Sequence, residues 1–196
     1  MKTSLFALAT VSACLVAGNS QTVVNGDFED LTGLTGPGNY LFGNLAGWGE
    51  VVQLISTNAN PLIYSPTNGA YALDWEDSLG TSLILDQVIS GFTAGQMYTL
   101  SYEVGNRGLS VAPTISIGGV SVTHTMSGIV NMAPTSFQFT ATGTSQTLTV
   151  DFRGGFSSSI RGNFDNFVVT PLPIPEPNAA VLIGICAAGI AIRRRH

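Results

Sequence analysis

Cysteine is nearly absent: the 196 residues contain two, Cys14 and Cys186. Both lie in apolar terminal stretches, so the chain between them has no disulfide, no thiol nucleophile and no thiolate metal site. Lysine occurs once, at Lys2, and histidine twice, at His124 and His196. Between Asp27 and Glu176 the only bases are Arg107, Arg153 and Arg161, against all twelve acids, a formal charge of −9. Such an acidic surface excludes recognition of nucleic acid or anionic lipid through charge. No Gly-x-Ser-x-Gly elbow is present, and Gly36-Pro37-Gly38 is not followed by Gly-Lys-Ser/Thr, so it reads as a turn and not as a phosphate loop. A Ser-His-Asp arrangement would depend on His124, which follows Val120 and Val122 at strand spacing and reads as a hydrogen-bonded sheet position.

What is present begins at the two ends. Lys2 precedes an apolar segment from Leu5 to Ala17 and small polar residues at Gly18, Asn19 and Ser20, the pattern of a secretory signal helix over residues 1–20. A lipobox reading of Val11-Ser12-Ala13-Cys14 competes, but it would leave a very short apolar core and place Leu15-Val16-Ala17 after the cut. At the other end, Pro171-Leu-Pro-Ile-Pro-Glu-Pro177 cannot continue a strand or a helix. The fold therefore stops near residue 170, a Pro-rich joint covers 171–178, and residues 179–196 form a separate object. That object is an apolar run from Ala179 to Ile192 followed by Arg193, Arg194 and Arg195. Its fourteen apolar residues span about 21 Å as a helix, short of the roughly 30 Å hydrocarbon core. Snorkelling arginines make up the difference, and the positive-inside rule keeps them cytoplasmic with everything upstream outside.

Pro175-Glu176-Pro177, a short transmembrane helix and an arginine cluster together resemble the PEP-CTERM sorting signal of Gram-negative exopolysaccharide-producing bacteria. The resemblance covers about the last 22 residues. It implies an exosortase partner that cleaves near the proline motif. It also implies export across the inner membrane, transient anchoring, and a final place at the cell surface or in the extracellular or biofilm matrix. The competing reading is an ordinary C-terminal anchor.

The middle, residues 21–170, has the length of one domain. It reads as short β-rich segments with no 3.6-residue period. Strands are expected at Thr22–Val24, Trp48–Ile55, Ala70–Asp74, Ser82–Ile89, Met97–Val104, Pro113–Ile117, Val120–Thr125, Thr135–Ala141, Gln146–Arg153 and Asn163–Thr170. Tyr98, Leu100, Tyr102 and Val104 alternate with Thr99, Ser101 and Glu103, and Leu148, Val150 and Phe152 repeat the pattern, as do Phe137, Phe139 and Ala141. One buried and one wet face is the antiparallel signature, and Gly118-Gly119 marks a two-residue hairpin. The fold class is all-β, an antiparallel β-sandwich or jelly roll.

Val24-Asn25-Gly26-Asp27-Phe28-Glu29, the Gly-rich stretch to Gly47-Trp48, Gly69 to Asp74, Thr93 to Ser101 and the closing Asn163 to Val169 resemble the layout of galactose-binding-like jelly rolls, among them many carbohydrate-binding modules. That resemblance implies a structural calcium ion tying the first strand to the last, with Asp27, Glu29 and Asp165 at the matching positions. The other reading is that Asp27 and Asp165 cap turns.

Aromatic and basic residues in loop-rich stretches are candidates for contact with a glycan, because sugar faces stack on rings and guanidinium groups bond hydroxyls. Tyr64, Trp75, Arg107 and Arg161 are the candidates, the arginines sitting in the Gly/Ser-rich stretches Gly105–Ser110 and Ser157–Gly162, whereas Trp48 and Tyr71 read as packing. The expectation is an exported, non-catalytic surface or matrix protein whose jelly roll is structural or binds extracellular polysaccharide. The alternative is a small secreted polysaccharide hydrolase, for which Asp74, Glu76 and Asp77 beside Trp75 would supply carboxylates.

Overall fold

The computed structural model describes residues 21–36, 39–48, 51–56, 69–74, 84–153 and 162–173. The signal segment 1–20, the end of the proline joint with the PEP motif, the apolar tail, Tyr64, Trp75, Glu76, Asp77 and Arg161 lie outside the described residues. Among the described residues every regular element is a strand: β1 (Tyr40–Asn44), β2 (Val51–Ser56), β3 (Tyr71–Asp74), β4 (Ile84–Ser90), β5 (Met97–Val111), β6 (Thr114–Ile117), β7 (Val120–Thr123), β8 (Met126–Thr140), β9 (Ser145–Asp151) and β10 (Gly162–Pro171). No described helix is long and apolar enough to cross a membrane.

Two antiparallel sheets result, one of six strands in the order β1-β2-β3-β10-β5-β8 and one of four in the order β4-β9-β6-β7. Period-two alternation decides which side chains meet between them. Leu54, Leu73, Phe164 and Val104 form one row across four strands of the larger sheet, and Leu85, Ile89, Ile115, Ile117, Leu148 and Val150 face them from the smaller one. All join one continuous core, so the molecule is the expected β-sandwich. An aromatic group closes one end: Trp48 lies 5.8 Å from Phe28 and 5.6 Å from Phe167 between ring centroids, and Phe167 stacks on Tyr102 at 5.4 Å. Trp48 is therefore core. His124 Nε2 pairs with the Tyr102 hydroxyl at 2.5 Å, while burial lowers the histidine pKa and pushes the phenol up to about 12. The uncharged pair is thus a packing contact.

Most expected strands differ by a residue or two at an end, β2 begins at Val51 and not at Trp48, which lies in a turn, and four larger differences have physical reasons. Thr22–Val24 is not a strand; the Gln87 side chain accepts from Val24 N at 2.7 Å and donates to Val24 O at 2.9 Å, so an amide side chain replaces the backbone ladder. β1 replaces an expected loop, paired along its whole length with β2 from Tyr40↔Ile55 to Asn44↔Val51. Residues 105–111 continue β5, and 126–134 extend β8 backwards, so the Gly105–Ser110 stretch is strand and not loop. Gly105 makes this close approach workable, since a Cβ there would lie 2.9 Å from Met132 Cγ and 3.0 Å from Met132 N. Gly118 and Gly119 both have positive φ, 59° and 78°, and form the expected two-residue turn between β6 and β7.

Gly105→Ala should therefore cost roughly 1–3 kcal/mol by overpacking. Urea melts of the two proteins check this, and an unchanged midpoint would place β8 further from β5 than described.

Candidate functional site

The outward face of the six-stranded sheet differs from an ordinary wetted face. Gln53, Asp74, Asn163, Asp165 and Glu103 alternate with the core residues and so point away from the second sheet, yet none is more than 3% exposed. Neighbouring strands place them side by side, Asn163 opposite Asp74 and Asp165 opposite Glu103. Buried polar groups must find partners, and Asp74 supplies most of them. It accepts from Gln53 Nε2 at 2.9 Å and from Asn163 Nδ2 at 2.8 Å, and Arg107 Nη2 lies 3.0 Å from its Oδ2. Arg107 Nη1 also donates to the Tyr40 hydroxyl at 3.0 Å, and its guanidinium lies 5.6 Å from the Tyr40 ring centroid. The guanidinium thus reaches from β5 over β10 and β3 to β1, in a buried pair whose loss of one partner is the costly event.

Both amides direct their nitrogens at Asp74, which leaves Gln53 Oε1 and Asn163 Oδ1 as buried acceptors without hydrogen-bond partners. Asp165 Oδ2 is a third. Asp165 begins a β-bulge, where the register with β5 slips before Val168 and Asn166 takes a φ of 55°. The bulge turns Phe167 into the core and sets the Asn166 N–H 2.7 Å from Asp165 Oδ1. The first segment docks here: Phe167 N donates to Gly26 O at 2.9 Å, and a Cβ on Gly26 would lie 2.5 Å from Phe167 O. Glu29 is held by the backbone N–H groups of Ala70 and Tyr71, at 2.6 and 2.8 Å from its Oε1.

Asp27, Glu29 and Asp165 are thereby brought into one electrostatic neighbourhood, and Glu103 joins them. Burial, followed by the charges of Glu103, Glu29 and Asp27, raises the Asp165 carboxyl to about 8, against an opposing bond from Asn166 N–H. The acids feel one another's charge, but among the described residues no three are grouped closely enough to hold a metal by side chains alone. Coordination is the stricter geometric condition, so any ion here needs backbone carbonyls or water as well.

Beside this group lies a groove of about 340 Å3 over β5 and β8, lined by Ser101, Tyr102, Glu103, Pro134, Thr135, Ser136 and Asn166. A second hollow, of about 260 Å3, lies on the other side of Asn166, between the first segment and Phe167 and Val168. Of the four glycan candidates, Arg107 alone is described, as a strand residue paired with Asp74. Asp74, weighed for catalysis, is fully buried and committed to three partners. Glu103, Asn166, Ser101 and Ser136 are additions. The alternation of β5 put Ser101 and Glu103 on the non-core side, but no local signal marks a bulge at Asn166.

No protein-family model and no curated protein matches the chain. Solved structures do. An arabinose-bound GH51 α-L-arabinofuranosidase is similar over 79% of this chain at 17% identity and a TM-score of 0.53. The chain spans 27% of that enzyme's length, and the likeness shows a shared fold. A CBM61 module in complex with β-1,4-galactotriose is similar over 79% of this chain and 100% of its own, at 19% identity and a TM-score of 0.43. For a CBM4 domain the figures are 77%, 100%, 13% and 0.44.

The raised pKa of Asp165 fixes a pH dependence. The unfolded carboxyl titrates near 3.8 and the folded one near 8, so the folded state holds the proton more tightly. The stability this group contributes is fully present below pH 3.8 and is lost as pH rises through about 8. In chelator, the free energy of unfolding should show this decline in denaturant melts across the range, and Asp165→Asn should remove it. A wild-type profile identical to that of Asp165→Asn would contradict the burial of the charge.

Proposed function

We propose that this is an exported surface or matrix protein whose β-sandwich binds extracellular polysaccharide without cleaving it. The observation that carries the reading is the groove over β5 and β8, lined by the hydroxyls of Ser101, Thr135 and Ser136, the Glu103 carboxylate and the Asn166 amide. A shallow polar groove lined by hydroxyls suits a chain ligand. Tyr64, Trp75 and Arg161 remain candidates for stacking and hydrogen bonds in this reading, and Arg107 shapes the face through Tyr40. The shared fold with an arabinose-bound enzyme accords with it.

A hydrolase has one observation in its favour. Asp165 and Glu103 are cross-strand neighbours, and burial with the neighbouring charges keeps the Asp165 carboxyl protonated up to about pH 8. Asp165 is fully buried, however, and a general acid must reach the glycosidic oxygen. Binding is therefore the better reading.

Filling the groove with Ser136→Trp should lower affinity for any polysaccharide hit from a glycan array at least about tenfold, while the free energy of unfolding stays within about 0.5 kcal/mol of wild type. Undiminished binding would move the site elsewhere, and release of reducing sugar by the wild type would favour the hydrolase.

A structural calcium ion is part of the proposal. Asp27, Glu29 and Asp165 would hold it, with Glu103 adding charge; the fit rests on the orphaned Asp165 Oδ2 in an all-oxygen, acidic surround. Bound calcium would fix the first segment against the bulge. A hundredfold excess over Kd should add about 2.7 kcal/mol of stability, seen as a rise of several degrees in melting temperature. Asp165→Ala should abolish the rise, and identical melts in calcium and chelator would remove the ion from the account.

The tail completes the proposal. Pro175-Glu176-Pro177, the apolar run from Ala179 to Ile192 and Arg193, Arg194 and Arg195 act in this proposal as a sorting signal that an exosortase processes after transit through the inner membrane. Intact mass of protein recovered from the cell surface should show loss of the C-terminus. Recovery solely of chains ending at His196 would mean a lasting anchor.

A further inference from the structure

We infer that β8 pairs edge to edge with the β8 of a second copy of this chain, antiparallel about a two-fold axis, and that the pairing sets two grooves side by side on one continuous sheet. The first observation is where β8 lies. It ends the six-stranded sheet beyond β5, and among the described residues no backbone bond joins 135–140 to anything except β5. Every second residue of such a strand turns its N–H and C=O outward, a template for another strand.

The second observation is charge. Edge strands are ordinarily guarded by charged side chains, lysine above all. β8 has none, and no residue from 108 to 150 is Asp, Glu, Lys or Arg. The chain between Asp27 and Glu176 carries a formal −9, so two copies repel wherever their acids face each other. Of the other end strands, β4 carries Asp86, while β1 and β7 have five and four residues against fifteen in β8. A second copy brings an edge of the same length and the same neutrality.

The pair is self-limiting. Pro134 has no N–H, and the register with β5 slips between Val104 and Asn106, so the regular edge is 135–140, paired without a break from Tyr102↔Thr135 to Met97↔Thr140. Two-fold pairing uses this edge on both copies, so the contact closes as a dimer and does not propagate. Directly opposite residues of an antiparallel pair share a face. Ser136, exposed on the groove side, therefore meets Gln138 or Thr140 of the second copy in the registers centred on Phe137 or Gln138. Among the described residues the groove has no wall on this side beyond Pro134, Thr135 and Ser136, and the second copy supplies one. Two adjoining grooves let one polysaccharide engage both; that last step rests on the glycan-binding reading, and the pairing itself does not.

Sedimentation velocity of the full chain in mild detergent tests this, and the wild type should dimerise. Gln138 is exposed and in either register lies opposite or diagonal to Gln138 of the second copy. Gln138→Lys and Gln138→Glu should each weaken the dimer at least about fivefold, and an equimolar mixture of the two should return to within about twofold of wild type. Ser121→Lys, on the outer face of β7, should leave the dimer unchanged. Wild-type amides of 135–140 should gain hydrogen-exchange protection as protein concentration rises, which reads the same edge should a variant not fold. A monomeric wild type, a dimer indifferent to both Gln138 changes, a mixture no tighter than either variant, or protection equal at every concentration overturns the pairing. A dimer that binds no glycan on an array keeps the pairing and removes the shared groove.

Discussion

A buried carboxyl that burial pushes toward its protonated form governs the arrangement of this domain. Asp165 sits in β10, between β3 and β5 in the larger sheet, fully buried and with one oxygen unpartnered. Its bulge does two things at once. It turns Phe167 inward to meet Trp48, Phe28 and Tyr102, and it presents the backbone of 166–167 to the first segment. The anchoring of the N-terminal segment, the closure of the aromatic core and the acidic character of the outward face all originate at one register slip.

The larger sheet is consequently buried on both sides in different chemical senses. Its inner face is aromatic and aliphatic. Over β2, β3 and β10 its outer face is an internal polar layer knitted by Asp74, on which the Arg107 guanidinium and two amide nitrogens converge. A pair of this kind seldom adds net stability over apolar packing, but it penalises any arrangement that separates the partners. It also fixes the amide orientations, and with them the acceptor character of the face. Further along β5 and β8 the layer opens into the groove. A polar layer that ends in an open groove is what ties the architecture to the proposed ligand binding.

Local alternation made much of the sandwich legible. Tyr98, Leu100, Tyr102 and Val104 are buried because a period of two is written in adjacent residues, and Gly118-Gly119 announced its turn. The rest depended on partners distant in sequence. Tyr40–Asn44 is a strand because β2 pairs with it, while its own flanking glycines advertise a loop. Thr22–Val24 has strand-forming residues, yet Gln87 offers it a side chain in place of a ladder. Arg107 looked like a loop residue because Gly105 and Gly108 surround it. Asp27, Glu29 and Asp165 were singled out by a family likeness; Glu103 had the same standing by alternation, but its register with Asp165 is a tertiary fact.

The central claim is that the outward face of the six-stranded sheet is the ligand surface. Following backbone amide resonances while a bound oligosaccharide is titrated in addresses it most directly. The account predicts that the perturbed amides cluster at Ser101, Glu103, Thr135, Ser136 and Asn166. Perturbations confined to the β4-β9-β6-β7 sheet would contradict it.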